Sequence, residues 1–364
     1  MEFRVAGFRD MGQVSDVADR VFRSARPGHM ADEFPHLYDG QNARHWWIAE
    51  EAGHIVSIVG AMVWTAVLGG APVVMASVGS VATDADFRRQ GISTRLLLLA
   101  ESCLRDEGVR LLLISGDGPL YLRFGARPVG WVEWYALPKT FVAGGSFEIK
   151  AIDPVVDAVE VARLYRSRGT RFLRPLPLLQ GLLRAQSFTA VSQGVKVAFC
   201  AYERGRAVSY ASVNHRPGLG RRPSQLAEWA GDPNGVLYGL THLSDWPESG
   251  MTVPVLPEDQ GLRGALSSLE PARQTPFPWL AKVVDGVGLG RDLEAVWAES
   301  TGDPPQIKTQ GVDRYRVTRG VDAWELDAAA LTQMVFGYDV PERPASMNDV
   351  WPSPAPWPTG LHFI

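Results

Sequence analysis

The stretch from Val81 to Thr94, Val-Ala-Thr-Asp-Ala-Asp-Phe-Arg-Arg-Gln-Gly-Ile-Ser-Thr, constrains this chain more than any other. A strand-like run enters a short loop carrying Arg88, Arg89, Gln90 and Gly91, and a helical pattern begins at once. The first N–H groups of a helix have no partner inside it, and the helix dipole adds partial positive charge there. Such an opening is suited to a phosphate. Gly91 lets backbone approach closely, and the two arginines supply charge-assisted contacts. A chance Arg-Arg-Gln-Gly at a helix start would read the same, so the weight rests on context. A strand precedes the loop, a long helix follows it, and Tyr121-Leu122-Arg123-Phe124-Gly125 comes further on. No Gly-Lys-Ser/Thr follows the loop, which argues against a nucleotide P-loop.

The first 140 residues alternate strand and helix signals. Phe3–Gly7 reads as a strand and Val14–Arg23 as a helix. Trp46–Glu51 and Ile55–Val67 form a hairpin across Ala52-Gly53-His54, and Val73–Thr83 follows the Gly69-Gly70 turn. A helix over Gly91–Glu107 stops at Gly108, Val109–Ser115 reads as a doubly buried strand, and Leu120–Phe124 as a short helix. From about Phe147 to Leu269 a similar order recurs. Helices are expected at Val156–Ser167, Pro177–Ala185, Asn234–Leu243 and Asp259–Leu269. Strands are expected at Phe188–Ser192, Val195–Tyr202, Ala207–Val213, Gln225–Ala230 and Met251–Leu256. The last region offers a strand at Trp279–Asp285, helices at Leu293–Glu299 and Ala328–Phe336, and a β-pair at Tyr315–Thr318 and Trp324–Leu326. A proline-punctuated tail from Pro341 to Pro358, with Trp351 and Trp357, is expected to lie extended over the folded surface. The expected division is three domains: 1–140, 141–275 and 276–364.

Composition narrows the function classes. At 46% apolar and 21% charged the 364 residues can bury a substantial core, and a net charge of -4 gives no bulk attraction to nucleic acid or anionic membrane. No apolar run reaches a membrane span, and the N-terminus lacks a signal-peptide layout, so the expected address is the cytoplasm. Cys103 and Cys200 sit apart in apolar surroundings and read as inert buried thiols. His45, His54, His215 and His242 show no ligand spacing, and no metal is expected.

Arg88-x-x-Gly91-x-Ser93 resembles the pyrophosphate loop of the GNAT superfamily of N-acetyltransferases, whose last position is usually Gly or Ala. Tyr121 to Ala126 resembles that superfamily's Tyr-x-x-x-Gly-Phe segment, with Ala126 in place of the aromatic. The resemblance implies acetyl-CoA as cosubstrate, held by Arg88, Arg89, Gln90, Gly91, Ile92, Ser93 and Thr94. Backbone near Ser80, Val81, Ala82 and Thr83 would engage the pantetheine arm and thioester. Tyr121 would act as general acid on the departing thiolate; the bland alternative is a half-buried aromatic with its hydroxyl at the surface. The whole layout resembles the enhanced intracellular survival (Eis-like) family: an α/β chain of tandem GNAT folds, the second degenerate, then a small α+β region of sterol-carrier-like fold. Ala230-Gly231-Asp232-Pro233-Asn234 stands where a second cofactor loop would fall. In that family the C-terminal carboxylate enters the active site, which would give Ile364 a part in deprotonating the amine; the alternative is a frayed tail. Homo-oligomers are common in such proteins.

Within the loop from Arg26 to Asp39 and the early strands, Asp32, Glu33 and His36 are candidates for holding a cationic amine, with Trp47 and Trp64 as walls. Asp32 and Glu33 equally suit the start of a helix, and the tryptophans suit a core. Glu228-Trp229 reads as structural. The activity so implied is acetyl transfer to a small or peptidyl primary amine; the competing reading is an acetyl-CoA-binding scaffold without turnover.

Overall fold

The computed structural model describes every residue except 26–27, 117, 217–221, 244–249, 339, 342, 352 and 358, so Arg26 and parts of the proline-rich tail lie outside the described residues. The chain forms two compact units. One joins Met1–Gly130 to Phe277–Pro356 and Ile364; the other joins Trp131–Pro276 to Trp357–Phe363. This differs from the expected three domains, because the region after 276 does not stand alone.

In the first unit, β1 (Glu2–Val5), β2 (Trp46–Glu51), β3 (His54–Leu68), β4 (Ala71–Thr83), β5 (Leu111–Ile114) and β6 (Arg127–Pro128) build a sheet. Its path is β1-β2-β3-β4-β5, then Leu280–Val283, then β6. The β2–β3 turn has φ of 50° at Ala52 and 81° at Gly53, the left-handed pair that suits the twist of a tight hairpin. β4 and β5 run parallel from Met75↔Leu111 to Val78↔Ile114. The parallel crossover is α3 (Ile92–Asp106), preceded in the chain by α1 (Met11–Phe22) and α2 (Met30–Glu33) and followed by α4 (Pro119–Arg123). Ile92, Leu96, Leu97, Ala100 and Leu104 of α3 pack on Ala76, Val78, Leu112 and Ile114.

β5 reads Leu-Leu-Leu-Ile and is buried throughout, so it needs a neighbour on each side. Leu280–Val283, also buried throughout, supplies the second one. That pairing draws the last region into the first unit. There it continues as a helix (Gly286–Thr301), three antiparallel strands (Gln306–Gly311, Arg314–Arg319, Asp322–Asp327) and a helix (Ala328–Phe336). Trp351 of the tail is buried against Trp297, ring centroids 6.1 Å apart.

The second unit repeats the sheet plan. From one edge its strands are Glu148–Ala151, Val195–Glu203, Arg206–His215, Ser224–Gly231, Met251–Val255, Val132–Leu137 and Arg273–Thr275. Again the fourth and fifth run parallel, here only through Ser224↔Met251 and Gln225↔Thr252. The strand on the far side of the parallel pair precedes the rest of the sheet in sequence, whereas in the first unit it comes from well beyond it. Phe188–Ser192, expected as a strand, lies in a helix, Ser187–Ser192. Gln193 ends that helix at φ 59°, and Thr189 Oγ1 donates back to Gln186 O, so local hydrogen bonding overrides the β-prone side chains. Cys200 is buried, and burial pushes its thiol up to about 12; Cys103 is half-buried. Among the described residues no helix is long and apolar enough to cross a membrane.

Candidate active site

The site begins with an irregularity in β4. Gly79 pairs with Gly60 and Ala82 with Ile58, so β4 holds one residue more than β3 between those pairs. The extra residue makes a β-bulge, and Ser80 adopts a left-handed φ of 50° in it. The β4–β5 ladder ends at Val78↔Ile114, immediately before the bulge.

Beyond Thr83 the chain makes a 3-10 turn, Ala85–Phe87, and enters the loop. Arg20 pairs with Asp84 at 2.9 Å, and Arg88 Nε donates to Thr83 O at 3.0 Å, bracing the loop against the strand. Thr83 Oγ1 lies 2.7 Å from Ser57 Oγ and 2.8 Å from Ser93 Oγ, which ties the strand end to the first turn of α3. The hydroxyls of Thr83 and Ser93 are therefore engaged with each other. Arg89 and Gly91 turn the backbone through left-handed φ of 63° and 74°. No side chain caps α3, and nothing lies within 4 Å of where a Cβ on Gly91 would stand. Arg88, Arg89, Gln90, Gly91 and Thr94 are exposed; Ile92 is buried in the core. An uncapped, open helix start with two exposed guanidinium groups fits a diphosphate.

Tyr121 lies on α4, with its ring edge 2.8 Å from where a Gly116 Cβ would be, so only glycine leaves it room. Burial raises its hydroxyl above the usual tyrosine range. Ile364 is buried, and its carboxyl carbon lies 3.1 Å from the Cβ position of Gly79. Ile364 thus packs on β4 beside the bulge. A side chain at residue 79 would press on it, and one of the two would have to shift by a few tenths of an ångström.

The expected substrate residues divide. Trp47 is fully buried among the core residues under α3, so it does not wall a pocket. Glu33 is held by the buried Arg23, whose Nε donates to it at 3.1 Å. Asp32 is exposed in the first turn of α2. Trp64 Nε1 donates to Ser77 Oγ at 3.1 Å, and the ring of His36 is 6.2 Å away. Tyr38, which sequence reasoning missed, is buried, sets its ring tilted against Trp46 with centroids 4.8 Å apart and donates its hydroxyl to Ser80 Oγ at 3.0 Å. It carries no motif; its position inside the loop already under suspicion was the one available signal.

Among the described residues of the second unit the matching helix start differs. Its matching helix, Pro233–Thr241, starts with Asp232 as cap, whose carboxylate accepts the Asn234 N–H at 2.8 Å, and with proline at the first position. A carboxylate occupies the place an anion would need. Glu228 accepts two bonds from Arg174 at 2.6 Å each, one from Tyr210 and one from Leu361 N at 3.1 Å. It lies against Gly360, where a Cβ would collide with it.

Residues 2–129 match the family model of the acetyltransferase (GNAT) domain. No curated protein matches the chain. Among solved structures, a GCN5-related N-acetyltransferase from Anabaena variabilis is 10% identical with a TM-score of 0.63, covering 90% of this chain and 85% of that one. A GCN5-related N-acetyltransferase from Kribbella flavida is 12% identical with a TM-score of 0.62, covering 90% and 83%. Eis1 from Mycobacterium abscessus is 15% identical with a TM-score of 0.63, covering 93% and 90%. The likeness is one of fold and extends over both units.

Proposed function

We propose that this chain, whose residues 2–129 form a GNAT acetyltransferase domain, moves an acetyl group from acetyl-CoA to a primary amine by direct attack in a ternary complex. The observation that carries this reading is the open, uncapped start of α3 with Gly91 in a left-handed turn, reached through a short loop from the bulged end of β4. The amides of Gly91 to Thr94 and the side chains of Arg88 and Arg89 would bind the diphosphate. Backbone from Ser80 to Thr83 would hold the pantetheine arm and the thioester carbonyl.

In the reaction the amine nitrogen forms a bond to the acetyl carbon, the carbon–sulfur bond breaks, and the thiolate takes a proton. Tyr121, protonated at neutral pH and raised further by its burial, is the donor. An ammonium ion has no lone pair for attack, so a proton must leave first. A terminal carboxylate is a weak base, with an ordinary pKa of about 3.5. Ile364 therefore acts through a water, drawing the proton electrostatically toward the chain end.

The test is thiol release from acetyl-CoA over a panel of primary amines, with the native chain and with a chain extended by several residues beyond Ile364. Native turnover with some amine is expected. The extension should cut kcat by about tenfold or more and leave acetyl-CoA affinity unchanged, the signature of a lost transition-state interaction. Full activity in the extended chain removes Ile364 from the mechanism. No calorimetric heat with acetyl-CoA removes the reading altogether.

A further inference from the structure

Side chains alternate along β4. Ala76 and Val78 enter the core under α3, while Ser77 meets Trp64 on the opposite face. Gly79 continues that opposite face, against the Ile364 carboxyl. Regular alternation would return Ser80 to the α3 side. The bulge prevents this. The Ser80 hydroxyl receives the Tyr38 O–H, and the Tyr38 ring packs tilted against Trp46, whereas it is Trp47 that enters the α3 core. Two consecutive residues, Gly79 and Ser80, therefore face the same side, one seating a carboxylate and the other offering a hydroxyl.

Serine is an odd choice for the bend alone. A left-handed backbone costs a non-glycine residue on the order of 1 kcal/mol, which glycine would avoid. Tyr38 is the side-chain partner of Ser80 among the described residues, and it donates. Ser80 then keeps its own O–H and a free lone pair. Burial raises the Tyr38 hydroxyl well above the usual tyrosine range, so it stays a donor at any working pH.

We propose that Ser80 hydrogen-bonds the acceptor amine beside the Ile364 carboxylate, with Tyr38 as its positioning residue, a role that rests on the acetyltransferase reading above. The amine N–H donates to the free lone pair of Ser80 Oγ, and the Ser80 O–H is left to face the carboxylate. A hydroxyl next to a carboxylate, on a face shared with Trp64, selects an alkylammonium acceptor over an anionic or purely apolar one.

The variants are Ser80→Gly, which keeps the left-handed turn and removes the hydroxymethyl side chain, and Tyr38→Phe, which keeps the ring. Spermidine, tobramycin and Nα-acetyl-lysine amide serve as alkylammonium probes, and the one turned over fastest by the native protein is used. Each variant should lose about tenfold in kcat/KM for the amine, the usual effect of one missing hydrogen bond, with acetyl-CoA affinity unchanged. The double variant should lose no more than Ser80→Gly alone, because the two groups act as a unit. Native-like amine kcat/KM in Ser80→Gly, or losses that multiply in the double variant, overturns the proposal. So does a Tyr38→Phe protein that melts earlier yet keeps its amine kinetics, since Tyr38 would then be structural only. A native protein that neither binds acetyl-CoA nor acetylates any probe overturns the acetyltransferase reading, and this role with it.

Discussion

Tyr38 and Tyr121, both in the first unit, have their hydroxyls raised above the ordinary tyrosine range by burial, and they serve different ends of the proposed reaction. Tyr38 points at the strand bulge, while Tyr121 rests on Gly116. For Tyr121 the expected result of Tyr121→Phe is normal acetyl-CoA affinity with kcat reduced by well over tenfold, as for loss of a general acid. Unchanged turnover would assign the ring a packing role only. The raised pKa of Tyr121 also carries a sign: its proton is lost only above the ordinary value of 10.0, so kcat should show no alkaline fall from this group below that pH.

At the scale of elements, the two units set a natural comparison. Each presents a helix after the fourth strand of its sheet, but one helix starts bare and the other is capped by its own carboxylate. The difference is one of chemistry, since both helices follow the same strand pattern. Placing a carboxylate at the bare start should convert one into the other. Gly91→Asp tolerates the left-handed backbone better than most substitutions and repels phosphate. The expected outcome is an acetyl-CoA Kd raised by about tenfold or more, measured by calorimetry, with little change in melting temperature. Gly91→Asn, which caps without charge, should weaken binding less. Equal Kd for Gly91→Asp and the native chain would place the diphosphate elsewhere.

At the scale of the whole molecule, stability depends on a buried charge in the second unit. Burial opposes ionisation of Glu228, but the guanidinium of Arg174 outweighs it, with help from Tyr210 and Leu361 N–H, and the carboxyl titrates below its ordinary 4.5. A depressed carboxyl contributes stability that is complete above the unfolded value and fades as pH falls below about 4.5 toward the folded value. Glu228→Gln leaves Arg174 buried without its counter-charge, which should cost about 3 kcal/mol or more at neutral pH. The deficit should shrink in acid, where the native chain loses the same interaction. Thermal melts from pH 7 to 3 read this directly, and parallel curves for the two proteins would show that Glu228 is not the titrating group.

What the sequence determined by itself was local. Alternation, glycine turns and the Arg88–Thr94 pattern sufficed to place the hairpin, the long helix with the buried strand after it, and the bare helix start, since each depends on residues within one or two turns of each other. The tandem plan was legible for the same reason, as order of elements. Tertiary structure decided what depends on distant partners. Val132–Leu137 and Leu280–Val283 each reach back or forward along the chain to complete a sheet, because a doubly buried strand takes whichever apolar edge can cover it. Trp46 and Trp47 could not be told apart in sequence, and the sheet sends one to each face. The bulge at Ser80, the seat of Ile364 on Gly79 and the Tyr38 contact arise from a single extra residue in β4, visible only once β3 fixes the register against it.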